Sequence, residues 1–416
     1  MDADDALSIG ARVRMIRRRR GLSLDVVAGL TGIGKQCLSM LELGHRGFNR
    51  RGLVEDLANA LGCSVTDLTG QPYLPPDRDT ADALATLPSI RLALNDCGPM
   101  DIPDVTPRPR ELLTSLVDKA NEHCGQAHYS LAGHDVGGLL VESQASAFIV
   151  TPAERDHAFT AAVTACFVAG VVSSRAGNID LAITAARRGY DLAKQHSNPG
   201  LLGFARWYWA CELTSMGART RAHAVLSEGI DDLTPAVQFS AGDTLPAEIV
   251  GMMHLQQART AARQQRADDA HAHLDEAAHI ADRVGELNGM RQHFGPTNVA
   301  AWRISIGVEL TEGARAYEDA TAAPIGIDAL GSRERSSSLH FDFARVLAQE
   351  GGPRDGDAIR HLDTADRIAP QRIRSDPLAG DLVLDLDRRA RRRVWELDSL
   401  RNRFGVSVPG SRSANN

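Results

Sequence analysis

The chain has 416 residues, of which 43% are hydrophobic, and a typical length of about 100 to 200 residues per domain predicts two or three domains. Aromatic residues make up only 5% of the chain and alanine-rich runs recur, which favours helices packed through small side chains over sheets. The formal net charge of −7 excludes a protein that coats nucleic acid or a membrane with its whole surface, so any contact with DNA must come from a local basic patch. We therefore expect an all-α protein.

We assign residues 1–70 to a first domain, in which the stretch from Ile9 to Gly70 has apolar residues at helical spacing. Glycines interrupt this pattern into pieces of about three turns, at Gly21, Gly32, Gly44, Gly52 and Gly62. The apolar positions are Val13, Ile16, Val27, Ala28, Leu30, Leu38, Leu41, Leu53, Leu57 and Leu61, with Leu7 as a further candidate. The pattern predicts a bundle of four or five short helices.

Within this domain, the octapeptide GLTGIGKQ (residues 29–36) has two interpretations. The spacing of Gly29, Gly34 and Lys35 matches a phosphate-binding loop, G-x-x-x-x-G-K. That motif needs a Ser or Thr after the lysine to hold Mg²⁺, whereas this chain has Gln36, and the sequence lacks the β-branched runs of a parallel sheet. The same residues fit the turn and the first residues of a DNA-reading helix, which is the interpretation we favour.

The stretch LSLDVVAGLTGIGKQCLSML has the small, turn and apolar residues of a helix-turn-helix: Ala28 at the helix crossing, Gly32 in the turn, and Ile33 and Leu38 between the helices. With LVEDLANALGCSVTDL behind it, this domain resembles the XRE, lambda-repressor-like family over about the first seventy residues. It departs from the family pattern in two places. Leu24 stands where Gln is frequent, and Gly34 stands where a Ser or Thr cap is usual.

In a helix-turn-helix, the first residues of the second helix enter the major groove of double-stranded DNA. We expect base contacts from Lys35, Gln36 and Ser39, because Lys suits the guanine acceptors and Gln can pair with adenine. Met40 has two interpretations, a contact to a thymine methyl group or a core position. The loop HRGFNRR predicts a phosphate clamp made by its backbone N–H groups and by Arg46, Asn49, Arg50 and Arg51.

Residues 71–110 are rich in proline and contain the amphipathic piece TADALATLPSIRLAL, so we expect a connector with one helix. From residue 111 to 402 helical patterns return and repeat. Each repeat has an apolar helix followed by a polar turn and a second helix, and the anchoring alanines recur every 40 to 48 residues. These anchors are Ala182, Ala222, Ala270, Ala316 and Ala358. Helix pairs of this kind stack into a superhelix with a concave face. Residues 403–416 are expected to be a flexible tail.

By this repeat pattern and by the phrases HFGPTNV and IAPQRIRSDP, the second half resembles the tetratricopeptide-like domains that follow XRE modules in actinobacterial transcription factors. More distantly, it resembles the peptide-sensing regulators of Gram-positive bacteria. The resemblance implies a regulator that senses a peptide or small molecule on its concave helices. Candidate ligand contacts are Arg206, Tyr208, Asn298 and Arg303, each of which could instead serve packing or interhelix hydrogen bonds.

The sequence shows no catalytic arrangement, so we expect a non-enzyme without a cofactor. The six cysteines are dispersed, and the histidines near His123 and at His271 and His273 lack the ligand spacing of a metal site. The N-terminus is acidic and we expect no run of about 18 apolar residues, which predicts a cytoplasmic protein with no membrane partner.

Together these patterns predict a homodimeric, sequence-specific transcription regulator that binds a palindromic operator and responds to a peptide or small molecule. Half-sites about 34 Å apart, or multiples of that distance, are the geometric expectation. The alternative is a helical-repeat adaptor that sequesters a partner protein and in which DNA binding is secondary.

Overall fold

The computed structural model describes residues 8–71, 78–239, 242–391 and 394–406. Within these ranges the chain forms α-helices, short 3-10 helices and no strand, which confirms the all-α prediction. The first seven helices are α1 Ile9–Arg19, α2 Leu24–Thr31, α3 Lys35–Glu42, α4 Arg51–Leu61, α5 Val65–Thr69, α6 Arg78–Ala85 and α7 Leu87–Asp96. The next eight are α8 Arg110–Gly125, α9 Tyr129–Gly133, α10 Val136–Ile149, α11 Arg155–Arg175, α12 Ile179–Ala193, α13 Pro199–Met216, α14 Arg219–Leu233 and α15 Leu245–Arg263.

The last eight helices are α16 Ala267–Val284, α17 Pro296–Leu310, α18 Gly313–Ala322, α19 Arg333–Glu350, α20 Asp355–Ile368, α21 Pro370–Arg374, α22 Pro377–Arg389 and α23 Trp395–Phe404. The 3-10 helices are Pro152–Glu154, Thr234–Ala236, Gly289–Arg291, Ile327–Leu330 and Gly352–Arg354. Helices α1 to α5 make up the N-terminal bundle (residues 8–71), and α6 to α23 make up the helical body (residues 78–406).

The N-terminal bundle is a five-helix unit whose helix ends follow from the sequence. Ser8, Ser23 and Ser64 each accept a hydrogen bond from a backbone N–H of the following helix, which satisfies donors that would otherwise lack a partner. Gly32 ends α2 at φ 68°, a left-handed conformation that glycine adopts without strain, and so forms the turn before α3. Gly34, as predicted, provides no side-chain cap for α3.

Two details of the predicted bundle are different in the structure, and a third prediction cannot be compared with it. Leu30 is 64% exposed, although its spacing matched the apolar pattern. Gly52 does not interrupt a helix but lies in the first turn of α4, where a Cβ would come within 2.6 Å of the backbone oxygen of Arg263. The absence of a side chain there lets the helical body approach the bundle closely. Leu7, the further apolar candidate, lies outside the described residues.

The predicted connector contains two helices, α6 and α7, instead of one. Pro88 lies in the first turn of α7, where its missing N–H costs no hydrogen bond, so it starts a new helix instead of continuing the old one. Ile90 and Leu94 of α7 are buried in the main core of the helical body. Residues 87–96 are therefore a packed part of the body and not a loose linker.

The helical body repeats the predicted two-helix unit five times, as the pairs α11–α12, α13–α14, α15–α16, α17–α18 and α19–α20. The anchors Ala182, Ala222, Ala270 and Ala358 are fully buried, and Ala316 is half-buried. The first helices of neighbouring pairs also pack against one another, in the order α11, α13, α15, α17, α19. These five helices form the inner, concave layer expected of a stacked helical repeat.

The two ends of the superhelix touch, which narrows the opening of its concave face. Gln126, after α8, donates from Nε2 to the carbonyl of Gly331 at 2.7 Å. The backbone N–H of Tyr129 donates to Gln371 at the start of α21, also at 2.7 Å. Helix α8 packs against α19 as well.

Among the residues that the structure describes, one helix is long and apolar enough to span a membrane, contrary to the expectation of no such apolar run. It covers residues Pro152–Arg175, and 78% of its most apolar 18-residue window is buried inside the protein. Burial of this kind is what a central helix of a helical body shows, because such a helix meets neighbours all round.

Candidate functional site

The first turn of α3 presents the predicted base-reading side chains to solvent. Lys35 and Gln36 are exposed, Ser39 is half-exposed, and Met40 is 38% exposed, so Met40 is not a core residue. Lys35 donates to the Asp25 carboxylate at 2.8 Å, but both side chains are more than half exposed, and such surface pairs contribute little. Lys35 can therefore exchange this partner for a base or a phosphate.

Packing inside the bundle fixes the orientation of α3. A Cβ on Gly10 of α1 would lie 2.0 Å from the carbonyl oxygen of Leu41, so glycine is what lets α1 and α3 cross closely. Arg17 of α1 is buried and binds Glu42 of α3 through two hydrogen bonds, of 2.5 and 2.7 Å. Arg17 begins the run RRRR (residues 17–20), whose other three members are exposed, and Arg20 also donates to the carbonyl of Gly62 at 2.6 Å. The P-loop interpretation is wrong, because the residues before Gly32 form helix α2 and not a strand.

The loop after α3 is docked on the helical body. The N–H of Phe48 donates to the Asp381 carboxylate of α22 at 2.6 Å, and a Cβ on Gly47 would lie 2.8 Å from the Cβ of Asp385. The carbonyl of Asn49 accepts two hydrogen bonds from Arg345, of 3.1 and 2.7 Å. The backbone groups that we expected to clamp phosphate are therefore bound to the body in this arrangement.

The start of α4 is also bound by the helical body. No side chain of the bundle caps this helix, and the Glu309 carboxylate of α17 accepts from the N–H groups of Arg51 and Gly52, both at 3.1 Å. A carboxylate at a helix N-terminus satisfies free donors and lies favourably in the helix dipole. Glu309 also accepts from Arg345 at 2.9 Å.

This docking separates the four predicted phosphate contacts into two residues that bind the helical body and two that stay partly exposed. Arg46 is exposed and Arg50 is half-buried, and both keep part of their surface in solvent. The carbonyl of Asn49 accepts a hydrogen bond from Arg345, and the side chain of Arg51 extends into the junction, where it pairs with Asp376. The structure thus keeps Arg46 and Arg50 beside the exposed end of α3 and places Arg51 in the junction between the bundle and the body.

A second set of ion pairs lies deeper in the junction. Glu55 of α4 accepts from Arg219 and from Arg263, both at 2.7 Å, and all three side chains are less than 10% exposed. Arg219 also reaches Asp56 at 2.8 Å and the carbonyl of Gly52 at 2.9 Å. Removing one member of such a network leaves a buried charge without compensation, so these residues strongly favour the docked arrangement.

The titration of the junction carboxylates depends on how many donors each one has. Burial alone would raise the pKa of Glu309, but the charges of Arg345 and Arg263 and the Gly52 N–H lower it to about 2. The guanidinium groups of Arg51 and Arg372 likewise outweigh burial and hold the pKa of Asp376 well below its ordinary value. For Asp381 burial prevails over the Phe48 N–H, with Asp385 nearby, and the pKa rises to about 7.

Two adjoining cavities, of about 250 and 190 Å³, lie on the concave face, and both are partly open to solvent. Residues of helices α4 and α5 of the bundle line the larger cavity together with residues of the body. Of the predicted ligand contacts, Asn298 lines the larger cavity and Tyr208 the smaller one. Arg206 instead pairs with Asp232 at 2.5 Å, and Arg303 is half-exposed near Asp275. The structure therefore brings two of the four to the cavities.

The sequence analysis missed the acids that hold the bundle, namely Glu309, Asp376 and Asp381. Each lies on an otherwise apolar helix face or at a helix start, as in Leu378, Asp381 and Leu382 of α22. Acids on a buried face require a partner of opposite charge. That signal was present in the sequence, but the partner could not be known before the fold.

The histidines form pairs between helices and no cluster of three metal-binding residues occurs in the described ranges. The Nδ1 atoms of His254 and His273 are 3.0 Å apart, and those of His340 and His361 are 2.9 Å apart. Burial and the charge of the neighbouring ring lower the pKa of His254 to about 4. All six cysteines are free thiols.

Comparison with known proteins identifies the N-terminal bundle. Residues 8–69 match the family described as helix-turn-helix domain, so this part of the chain is a helix-turn-helix domain. No curated protein matches the chain. Among solved structures, it is similar to a crystal structure of Bacillus thuringiensis PlcR in complex with the peptide PapR7 and DNA. That similarity has 12% identity and a TM-score of 0.28 over 67% of this chain and 95% of the other, which is too low to equate the two folds.

Proposed function

We propose that this protein is a sequence-specific DNA-binding transcription regulator whose helical body senses a ligand. The observation that carries this proposal is the helix-turn-helix domain itself, with the first turn of α3 free of the body and with Lys35 and Gln36 in solvent. Side chains at those positions are the ones that a helix-turn-helix directs at base edges. Residues 9–70 contain ten basic and five acidic residues, so this domain carries a local positive charge in a chain whose net charge is −7.

The docking of the loop supports control by the body. Backbone N–H groups of the helix-turn-helix domain that suit phosphate oxygens are bound by Asp381 and Glu309, and Arg51 is bound by Asp376. In this arrangement carboxylates take the places of phosphate groups. A ligand that loosens or rotates the junction would release these donors for DNA, and this is the regulatory step that we propose.

The remaining parts of the proposal follow from the use of a helix-turn-helix. Such domains read two half-sites as dimers, so we propose a homodimer on a palindromic operator. The protein would act in the cytoplasm, where it has access to DNA.

The proposal is tested by sequencing the genomic DNA fragments that the purified full-length protein selects. The wild type should return a two-fold symmetric motif, and the double variant Lys35→Ala/Gln36→Ala should lose it. The chain offers a matched control, Lys194→Ala/Gln195→Ala, which removes the same exposed residue types from the turn directly after α12. The control should keep the motif.

Unselected DNA from wild type and variant alike would contradict base reading by α3 and favour the adaptor function. A motif that survives in the Lys35→Ala/Gln36→Ala protein would place base reading elsewhere in the chain. In either case the fold of the variant is checked by its unfolding temperature, which should match that of the control.

A further inference from the structure

The walls of the two adjoining cavities carry more positive than negative groups. Eight arginines and six carboxylates line them. The arginines are Arg51, Arg175, Arg259, Arg263, Arg291, Arg335, Arg345 and Arg372, and the acids are Glu55, Glu212, Glu309, Glu334, Asp342 and Asp376. Burial also raises the pKa of Glu212, which favours its neutral form. The excess of positive charge is therefore at least two.

The acids are already shared among the other arginines. Glu334 binds Arg175 at 2.8 Å and Arg372 at 3.1 Å, while Glu309 and Asp342 bind Arg345 at 2.9 Å. By contrast, the side chains of Arg259 and Arg335 form no hydrogen bond or salt bridge with any residue in the described part of the chain. Both guanidinium groups line both cavities.

Further donors on the same walls lack partners. Trp302 lines both cavities, is 7% exposed, and its indole N–H has no acceptor among the described residues. The Nε atoms of Arg259 and Arg175 and the indole N–H of Trp207 are also buried without an acceptor among the described residues. Arg259 also lies over the ring of Trp302, 5.1 Å from its centre. Buried donors without acceptors are costly and uncommon, and here several converge on one space.

From these donors and the uncompensated positive charge, we infer that the two adjoining cavities bind a small organic anion, held by Arg259 and Arg335 and by the indole N–H of Trp302. Carboxylates and phosphate groups are the acceptors that guanidinium groups bind most strongly. Each cavity is smaller than the range of about 300–1,000 Å³ that drug-sized ligands occupy, so the space fits a small metabolite.

This inference rests on the proposed function, since it identifies the chemical class of the effector. Arg51, Glu55 and Thr69 of the helix-turn-helix domain line the larger cavity together with Arg259 and Arg335 of the body. An anion bound there would attract Arg51 away from Asp376 or add to the pair. Either effect acts directly on the junction that holds the domain.

The test is thermal unfolding of the full-length protein at constant ionic strength in chloride, with inorganic phosphate and citrate as probes. The wild type should show a saturable rise in Tm with at least one of them. A response to phosphate alone would assign the phosphate-ester class, and a response to citrate alone the carboxylate class. Arg259→Gln and Arg335→Gln should weaken the apparent affinity at least tenfold.

Two control variants separate binding from folding. Arg303→Gln removes a half-exposed arginine of α17 and should respond like the wild type. Arg219→Gln removes an arginine that lines neither cavity and breaks its buried pair with Glu55, so it should lower Tm in every salt but keep an anion-dependent rise. Arg259→Gln should lower Tm in chloride less than Arg219→Gln does, because Arg259 has no hydrogen bond or salt bridge with the described residues to lose and gives up only its contact with the ring of Trp302.

The inference is overturned if neither probe raises the Tm of the wild type, or if Arg259→Gln responds as the wild type does. It is also overturned if Arg259→Gln destabilises the protein in chloride as much as Arg219→Gln, since Arg259 would then serve the fold. DNA is absent from the measurement. A protein that selects DNA but ignores anions fails only this inference, and one that binds anions but selects no DNA fails only the proposed function.

Discussion

Glu309→Gln is the substitution that tests the docking of the helix-turn-helix domain most directly. The Glu309 carboxylate accepts from the N–H groups of Arg51 and Gly52 and from Arg345, so every contact it makes is with a donor. A glutamine has nearly the same shape but turns an NH₂ group toward one or more of these donors and removes the charge. The variant therefore loses hydrogen bonds across the junction and leaves Arg345 with less compensation.

The size of the effect follows from the pKa of Glu309. Lowering it from 4.5 to about 2 corresponds to about 3 kcal/mol of stabilisation of the charged form, at 1.36 kcal/mol per pKa unit. Measured losses for breaking buried ion pairs are of similar size, about 3–5 kcal/mol. We expect Glu309→Gln to lower the free energy of unfolding in urea at pH 7 by about 3 kcal/mol. It should also tighten binding to selected DNA, because the loop donors become free.

The matched control is Glu312→Gln, on the exposed turn that follows α17. Glu312 contacts His271 at 2.9 Å with both side chains about half exposed, so we expect a change below about 0.5 kcal/mol. The contribution of Glu309 is fully present above pH 4.5 and disappears as the pH falls towards 2, because the pKa is lowered in the folded state. A loss below about 1 kcal/mol for Glu309→Gln, or an equal loss for Glu312→Gln, would refute the docking argument.

Three further predictions concern packing, pH and DNA. Gly251→Ala should lower the free energy of unfolding by about 1–3 kcal/mol, because the new Cβ would lie 2.0 Å from the ring of the buried Phe294. Its control, Gly380→Ala on α22, places a Cβ with no atom from elsewhere in the described chain within 4 Å and should raise the free energy of unfolding by about 0.5–1 kcal/mol. The pKa of His254 is lowered to about 4 in the folded protein, so the unfolded chain takes up the proton first as the pH falls below 6.5. About 2 kcal/mol of unfolding free energy should therefore be lost by pH 5. A pH series of urea unfolding should show that His254→Gln removes this loss. Arg50→Ala should reduce the slope of log K against log salt concentration by about one in a DNA titration, without changing the selected motif.

The helix-turn-helix domain could be predicted in detail because its structure is determined locally. Ser23 and Gly32 set the ends of α2 through a cap and a left-handed turn, and the spacing of Val27, Ala28 and Leu38 identifies the buried face. Even so, periodicity did not distinguish Leu30, which is exposed, from its buried neighbours. The repeat of small residues likewise predicted the helix pairs, because each pair must bury its apolar side against the next.

The junction and the cavity could not be predicted, because they join residues far apart in the chain. Phe48 binds Asp381 and Gly52 binds Glu309, at separations of 333 and 257 residues. The loop composition predicted contacts with phosphate groups, and in the structure the Phe48 N–H and Arg51 bind carboxylates of the same chain. Which anion a basic loop meets is decided by the tertiary fold and not by the loop.

The cavity, the junction and the predicted DNA surface of this protein share Arg51, so the regulatory proposal predicts that anion binding and DNA binding are coupled. Arg51 lines the cavity, pairs with Asp376 in the junction and is a predicted phosphate contact. One guanidinium group cannot serve all three partners fully, so an anion in the cavity must change either the Asp376 pair or the reach of Arg51 towards DNA. Since binding effects are reciprocal, operator DNA should change the affinity for the anion by the same factor as the anion changes the affinity for DNA. Titrating the anion with and without operator DNA measures this factor, and a value of one would show that the cavity and the reading helix are independent.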